Sequence, residues 1–308
     1  MTATCLSRLK IPALAAPMFL VSGPALVIET CRNGLLGTFP ALNQRTTDGF
    51  AAWLKEIRGA LSNNDAPFGV NLAVHHTSPR AAADLDVIVR AQVPVVITTL
   101  GLTPDVVEAV HSYGGLVFHD AITVRHAQKA LAAGADAIIA VCAGAGGHAG
   151  TLNPFAFAAE LRPYMQGKKL ILSGGISDGA GIAGAIAAGA DLAALGTRFI
   201  ATNESMAPEE QKRLICESTA KDIVYTDRIS GLAASFLRPR LEQFGWNESE
   251  AVTHKAFNVA GEIQPKLWLD YWSAGQSTGG VHDIIPVAEL CRRLTDEYHA
   301  AIRRMSAR

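Results

Sequence analysis

Residues 116–150 read LVFHDAITVRHAQKALAAGADAIIAVCAGAGGHAG. Two continuous apolar runs, 116–122 and 136–142, flank a segment (123–133) whose apolar residues recur at helical spacing. The second run feeds straight into a glycine-rich loop. Strands covered on both faces read as unbroken apolar runs, whereas strands with one wet face alternate. The stretch is therefore a strand–helix–strand unit of a parallel sheet. Its helix ends at Ala133-Gly134-Ala135-Asp136, where glycine supplies the left-handed residue that terminates a helix. Ala188-Gly189-Ala190-Asp191 repeats that ending further along.

The same unit recurs outward in both directions, from residue 12 to about 200. Strands are expected at 13–18, 35–39, 68–74, 93–100, 116–122, 136–142, 169–174 and 191–196, with helices at 24–33, 48–61, 78–91, 104–112, 123–133, 154–165 and 179–188. Eight consecutive units predict an α/β fold that closes into a (β/α)8 TIM barrel rather than an open doubly wound sheet. Beyond residue 200 the pattern changes. Segments 204–217 and 248–262 read as amphipathic helices, 266–280 is aromatic and Gly-rich, and 285–304 is a long helix with arginines on its polar side. The expected organisation is a barrel over 1–200. A C-terminal helical lid, or subdomain, over 201–308 covers the active site and completes the barrel surface.

The chain has 308 residues, 49% hydrophobic and 18% charged, which excludes disorder and allows a large core. Lys+Arg 27 against Asp+Glu 28 argues against nucleic acid or an anionic membrane as partner. Five cysteines, odd in number and with no C-x-x-C, indicate neither a disulfide framework nor a zinc ribbon and fit a reducing cytoplasm. Arg8 and Lys10 before the apolar run 11–28 mimic a signal peptide, but Pro12, Pro17 and Pro24 break that run. No run of 18 apolar residues escapes a charge or proline, so no membrane span is expected.

In barrel enzymes the loops after the strands form the catalytic face. After the sixth strand comes Gly144-Ala145-Gly146-Gly147-His148-Ala149-Gly150, in which His148 is the sole titratable side chain. A loop histidine is ordinarily bonded to backbone. On this loop and this face, His148 is read as a general acid/base. Ser173-Gly174-Gly175-Ile176 and Gly196-Thr197-Arg198 follow strands seven and eight, where barrels recurrently bind phosphate. Free N–H groups of these turns, and the helix starting near Asp178, suit a phosphate dianion.

Several other features read as structural. Gly179-Ala180-Gly181-Ile182-Ala183-Gly184 matches G-x-G-x-x-G, but its strand has already turned at Gly174-Gly175. It is read as small residues in a helix packed on the barrel. Adjacent His75-His76 lack a carboxylate cluster, and no metal is expected. Cys142 is read as a buried apolar thiol. Trp246, Trp268, Tyr271 and Trp272 are expected to pack the C-terminal segment rather than line a ligand.

Ala15-Ala16-Pro17-Met18, Phe68-Gly69-Val70-Asn71-Leu72, Ala145–Gly150, Ser173–Ile176, Gly196–Phe199 and Ala274-Gly275-Gln276-Ser277 occur in this order along essentially the whole chain. Together they resemble the nitronate monooxygenase family, formerly 2-nitropropane dioxygenases; some of these elements also occur in FMN-dependent enoyl-acyl-carrier-protein reductases. The resemblance implies a TIM barrel with non-covalent FMN, its phosphate on Gly174, Gly175, Gly196 and Thr197. Ser173, Ile176, Gly146 and Gly147 would adjoin it. Ala16, Pro17 and Met18 would line the isoalloxazine, with Asn71 near its polar edge and Gln276 reaching over from the C-terminal segment. Asp120 stands where some relatives carry a basic residue near the flavin, and His148 falls on the family's catalytic histidine.

The expected activity is oxidation of alkyl nitronates with O2 to carbonyl compounds and nitrite. An NAD(P)H-dependent FMN reductase of quinones or enoyl thioesters, and a flavin-free phosphate-binding barrel, are the alternatives. The expected partners are a small-molecule substrate and O2, and a homodimer is allowed.

Overall fold

Eight parallel strands close into a barrel in the computed structural model of the chain, which describes residues 5–75, 77–229, 231–247 and 266–307. They are β1 (Ala13–Ala15), β2 (Leu36–Pro40), β3 (Phe68–Ala73), β4 (Val95–Thr99), β5 (Leu116–Ala121), β6 (Ala137–Val141), β8 (Lys169–Ser173) and β9 (Leu192–Leu195). A two-residue strand of a different sheet, β7 (Gly147–His148), falls between β6 and β8. Pairing of Ala13 with Ala193 and Leu14 with Ala194 closes the ring between β1 and β9. All eight expected barrel strands are present. β1 ends at Ala15, three residues early: Ala16 N–H still donates to the Leu195 carbonyl, Pro17 has no N–H for the ladder, and residues 16–18 form a wall of the cavity described below.

Alternation along each strand sorts the side chains into two cores. Leu14, Leu36, Val95, Ile97, Phe118, Ile139, Ile171 and Leu192 fill the barrel interior. Residues of the opposite parity, such as Val70, Val96, Val117, Ile138, Leu170 and Ala193, pack against the surrounding helices. Both faces are covered, which is why the strands read as continuous apolar runs.

The helices are α1 (Pro24–Arg32), α2 (Thr47–Ala60), α3 (Ala81–Arg90), α4 (Pro104–His111), α5 (Val124–Ala132), α6 (Pro154–Met165) and α7 (Gly179–Ala187). The two Ala-Gly-Ala-Asp repeats do the same job twice. Gly134 and Gly189 take φ of 103° and 98° to end α5 and α7. The aspartate two residues later then reaches to the preceding barrel strand: Val117 N–H donates to Asp136 and Leu170 N–H to Asp191, each at 2.9 Å.

After β9 the chain makes only the single turn α8 (Thr197–Ile200). The outer ring is completed from far along the sequence, by the C-terminal helix Val287–Ser306, which packs on α7 and α1. Its Leu290, Cys291 and Leu294 share a core with Ile182, Ala185 and Leu195.

Between these lie α9 (Glu209–Glu217), shorter than the expected 204–217, and an antiparallel pair that the expected helical extension lacked: β10 (Ile223–Thr226) and β11 (Ala234–Leu237). β11 pairs on its other side with β7, Ala234 opposite His148. Strands of two to four residues are too short to show a period, and their partners are distant in sequence. The expected helix 248–262 lies outside the described residues. Among the described residues no helix is long and apolar enough to cross a membrane.

Gly179 is where α7 touches the C-terminal helix. A Cβ there would strike the backbone of Tyr298 and Leu294. Gly179→Ala is expected to destabilise the protein by about 1–3 kcal/mol, as overpacking does in cores. Gly184→Ala, whose Cβ would meet nothing within 4 Å, provides the control; denaturant unfolding reads both.

Candidate active site

The last inward-facing residues of the barrel strands form the floor of a cavity of about 380 Å³ at the C-terminal end of the barrel. Ala16, Pro40, Asn71, Thr99, Asp120, Val141, Ser173 and Gly196 arrive there from eight different strands or their ends. Parity alone selects them: Phe118 and Leu116 point into the barrel, so Asp120 does too, while His119 points outward to bond Thr98 at 2.8 Å. Every site residue expected from sequence lines this cavity except Gln276. Pro17, Met18, Gly146, Gly147, His148, Gly174, Gly175, Ile176 and Thr197 join those already named.

Gln276 does not line the cavity. It is exposed, and its amide oxygen lies beside Gly144, which does. Its backbone N–H donates to the Gly144 carbonyl at 2.9 Å. The residue pins the C-terminal strap to the loop, and its neighbour Ser277 reaches the cavity instead.

That strap, residues 273–276, lies backbone-to-backbone on the glycine loop. A Cβ on Gly146 would be 3.0 Å from the Ala274 carbonyl carbon and the Gly275 nitrogen, and one on Gly275 would strike the Gly144 carbonyl. Gly147 N–H donates to Ser273 Oγ at 2.6 Å, and Ser273 Oγ donates to the Ser235 carbonyl at 2.6 Å. Tyr225 Oη donates to the Ala149 carbonyl at 2.7 Å. Held on both sides, His148 sits in β7 with its ring edge-on to Trp268, centroids 5.6 Å apart. Burial pushes its imidazole down to about 4, so it is neutral at neutral pH.

Across the floor, burial pushes the Asp120 carboxyl up to about 7, partly offset by a hydrogen bond from the Thr99 side chain. Cys142, beneath the loop, bonds the Ala140 carbonyl, and burial pushes its thiol up to about 12, so it is an inert core residue.

Beside the glycine loop lie the turns after β8 and β9. Gly174 (φ 126°) approaches the carbonyls of Ala143 and Cys142 too closely for any side chain, and a Cβ on Gly175 would project into open space at the cavity wall. Thr197 Oγ accepts from Gly275 N–H at 2.8 Å and keeps its own hydrogen to donate. The N-terminus of α7, expected to face a phosphate, is already closed by carboxylates. Gly181 N–H donates to Asp178 at 2.7 Å and Gly179 N–H to Glu297 at 2.9 Å. Its G-x-G-x-x-G run is helix packing.

Trp268 and Trp272 correct another expectation, since both line the cavity as well as packing the C-terminal segment. Leu20, Leu100 and Met206 line it too. Nothing in their local sequence sets these residues apart from core residues. His75 bonds Thr77 at 2.8 Å, and His76 lies outside the described residues.

Comparison with known proteins agrees with this architecture. Among solved structures, the chain is similar to FabK from Thermotoga maritima, at 26% identity and TM-score 0.85, covering 99% of this chain and 98% of that one. It is likewise similar to a nitroalkane oxidase from Streptomyces ansochromogenes, at 27% identity and TM-score 0.83, covering 99% and 100%. A nitronate monooxygenase of Paraburkholderia phytofirmans is 28% identical over 96% of this chain and 94% of its own. The family model for nitronate monooxygenase matches residues 75–297, from the end of β3 through the glycine loop, the strap and half of the last helix. With the barrel, the glycine-loop histidine and the paired glycine turns in place, the chain belongs to the nitronate monooxygenase family.

Proposed function

We propose that this protein is an FMN-dependent enzyme that oxidises alkyl nitronates with O2 to a carbonyl compound and nitrite. The observation that carries the reading is the meeting, in one cavity, of the glycine turns after β8 and β9 with a neutral histidine in the loop after β6. The residues present fit a flavin mononucleotide: Gly175 offers bare backbone to the cavity, and Thr197 keeps a hydroxyl hydrogen. Bound there, FMN supplies the electron transfer between substrate and O2.

The chain's own residues do the rest. Gly174, Gly175, Gly196 and Thr197 hold the phosphate by N–H and O–H donors, and Ala16, Pro17 and Met18 offer the ring an apolar wall. Asn71, whose amide donates to the Ile97 carbonyl at 3.2 Å, keeps its side-chain oxygen for the ring's polar edge. His148 enters the reaction as a neutral imidazole. It therefore takes the α-proton of a neutral nitroalkane, leaving an imidazolium beside the nitronate anion, or donates its single N–H to a nitro oxygen. The strap, with Met206, Trp268 and Trp272, acts as the cover that keeps water from this pair.

Asp120 sets the charge the substrate meets. Protonated, it is a neutral neighbour; ionised, it opposes an anionic nitronate across the same cavity.

The deciding measurement is the visible spectrum of the pure protein, followed by anaerobic mixing with propyl-2-nitronate and with NADH. A flavin spectrum bleached by the nitronate is expected. A flavin bleached by NADH and indifferent to nitronate overturns the reading in favour of a reductase, and a colourless protein overturns it altogether. His148→Ala, flavin-loaded, should lose about 10²–10⁴-fold in kcat/KM.

For Asp120, folding raises the carboxyl from 3.8 to about 7, so the folded state binds the proton more tightly than the unfolded. Stability of the wild type relative to Asp120→Asn is therefore highest below about pH 4. It falls as pH rises to about 7 and is flat beyond, as urea unfolding at pH 4, 7 and 8.5 will show. In parallel, kcat/KM for nitronate should decline above pH 7 in the wild type and not in Asp120→Asn.

A further inference from the structure

Four non-glycine residues among the described residues have positive φ: Leu20 (61°), Gln92 (47°), Leu100 (63°) and Gln166 (44°). The two glutamines end helices, Gln166 capping α6 and Gln92 following the last cap residue of α3, where a left-handed residue is routine. The two leucines end no helix. Leucine gains nothing locally from this backbone, so the surroundings must impose it. They do. Leu20 N–H donates to Asn43 Oδ1 at 2.9 Å, and the same amide's Nδ2 donates to the carbonyls of Met18 (3.0 Å) and Ser22 (2.7 Å), so one asparagine holds the whole turn. Leu100 lies between Thr99, the last residue of β4, and Gly101, whose missing side chain lets it lie against the Val74 carbonyl.

Both leucines line the cavity. Both are half-buried, and neither belongs to any apolar core of the protein. They follow β1 and β4, three strands apart in the ring; β1 adjoins β9, which carries one phosphate turn, and β4 lies across the ring from it. Leu269, 49% exposed, and Met206 also line the cavity. Two large apolar side chains held at backbone strain, packed into no core and facing a cavity, are positioned for a ligand.

We infer that Leu20 and Leu100 are specificity residues, the walls of an apolar arm that receives the substrate's hydrocarbon chain, so that the enzyme selects nitronates bearing an extended alkyl group over short ones. The nitronate head group in this statement rests on the function proposed above; the apolar arm does not.

Straight-chain carboxylates from acetate to octanoate test it. They carry the planar two-oxygen anionic head of a nitronate on the same chains and are not turned over. Their binding to the protein as purified, with its cofactor, is measured at pH 6 by calorimetry. From butanoate onward Kd should fall about fourfold per methylene, the equivalent of about 0.8 kcal/mol. In Leu20→Asn and Leu100→Asn, which keep a residue at ease with the left-handed backbone, the steps should shrink to about twofold or less. Affinity that does not rise with chain length overturns the inference, as does a fourfold step left intact in both variants. If the chain-length series holds but alkyl nitronates are not oxidised, the arm stands and the proposed reaction falls.

Discussion

The site depends on one close approach, that of the strap 273–276 to the glycine loop after β6. Three glycines, Gly144, Gly146 and Gly275, bring two backbones into contact where side chains would hold them apart. The contact sets the height of the loop above the barrel. It also anchors Thr197 through Gly275 and the loop through Ser273, and so fixes His148 between β11 and Trp268. A loop of small residues holds no side chain in place by itself. Its rigidity is supplied by chain more than a hundred residues away.

Beneath that contact, the barrel contributes geometry rather than chemistry. A parallel strand shows alternate residues to the interior, and eight strands closed into a ring bring eight last inward residues to one rim. Asp120 and Asn71 reach the cavity for this reason alone, and His119, one residue from Asp120, is sent to the opposite face. The two titratable groups of the site are both shifted by burial, in opposite chemical senses. The histidine is neutral at neutral pH and the carboxyl keeps its proton up to about pH 7, so below that pH the cavity carries little charge of its own until an anion enters it. The apolar lining, which includes Leu20, Leu100, Trp268 and Trp272, accords with that economy of charge.

The C-terminal hundred residues are woven through this design rather than appended to it. They supply the last helix of the outer ring, the two strands that extend β7 and the strap itself. A cut at residue 200 leaves every barrel strand in place and removes both the closure of the helix ring and the support of His148.

The sequence by itself determined the barrel and most of the site. Strands buried on both faces must be apolar throughout, helices between them must carry a 3.6-residue period, and glycine must recur where backbone turns or comes close; each requirement writes itself locally into consecutive residues. His148 and the turns Gly174-Gly175 and Gly196-Thr197 were legible because they follow strand ends, whereas Asp120 and Asn71 were named through the family resemblance. Tertiary structure alone decided the rest. β10 and β11 are too short to show a period, Gln276 and Ser277 differ in role by one residue, and the α7 N-terminus is closed by Glu297 from a helix far down the chain. The strain on Leu20 is invisible without Asn43 beside it. Periodicity reports on a residue's neighbours along the chain, whereas these roles are set by contacts across it.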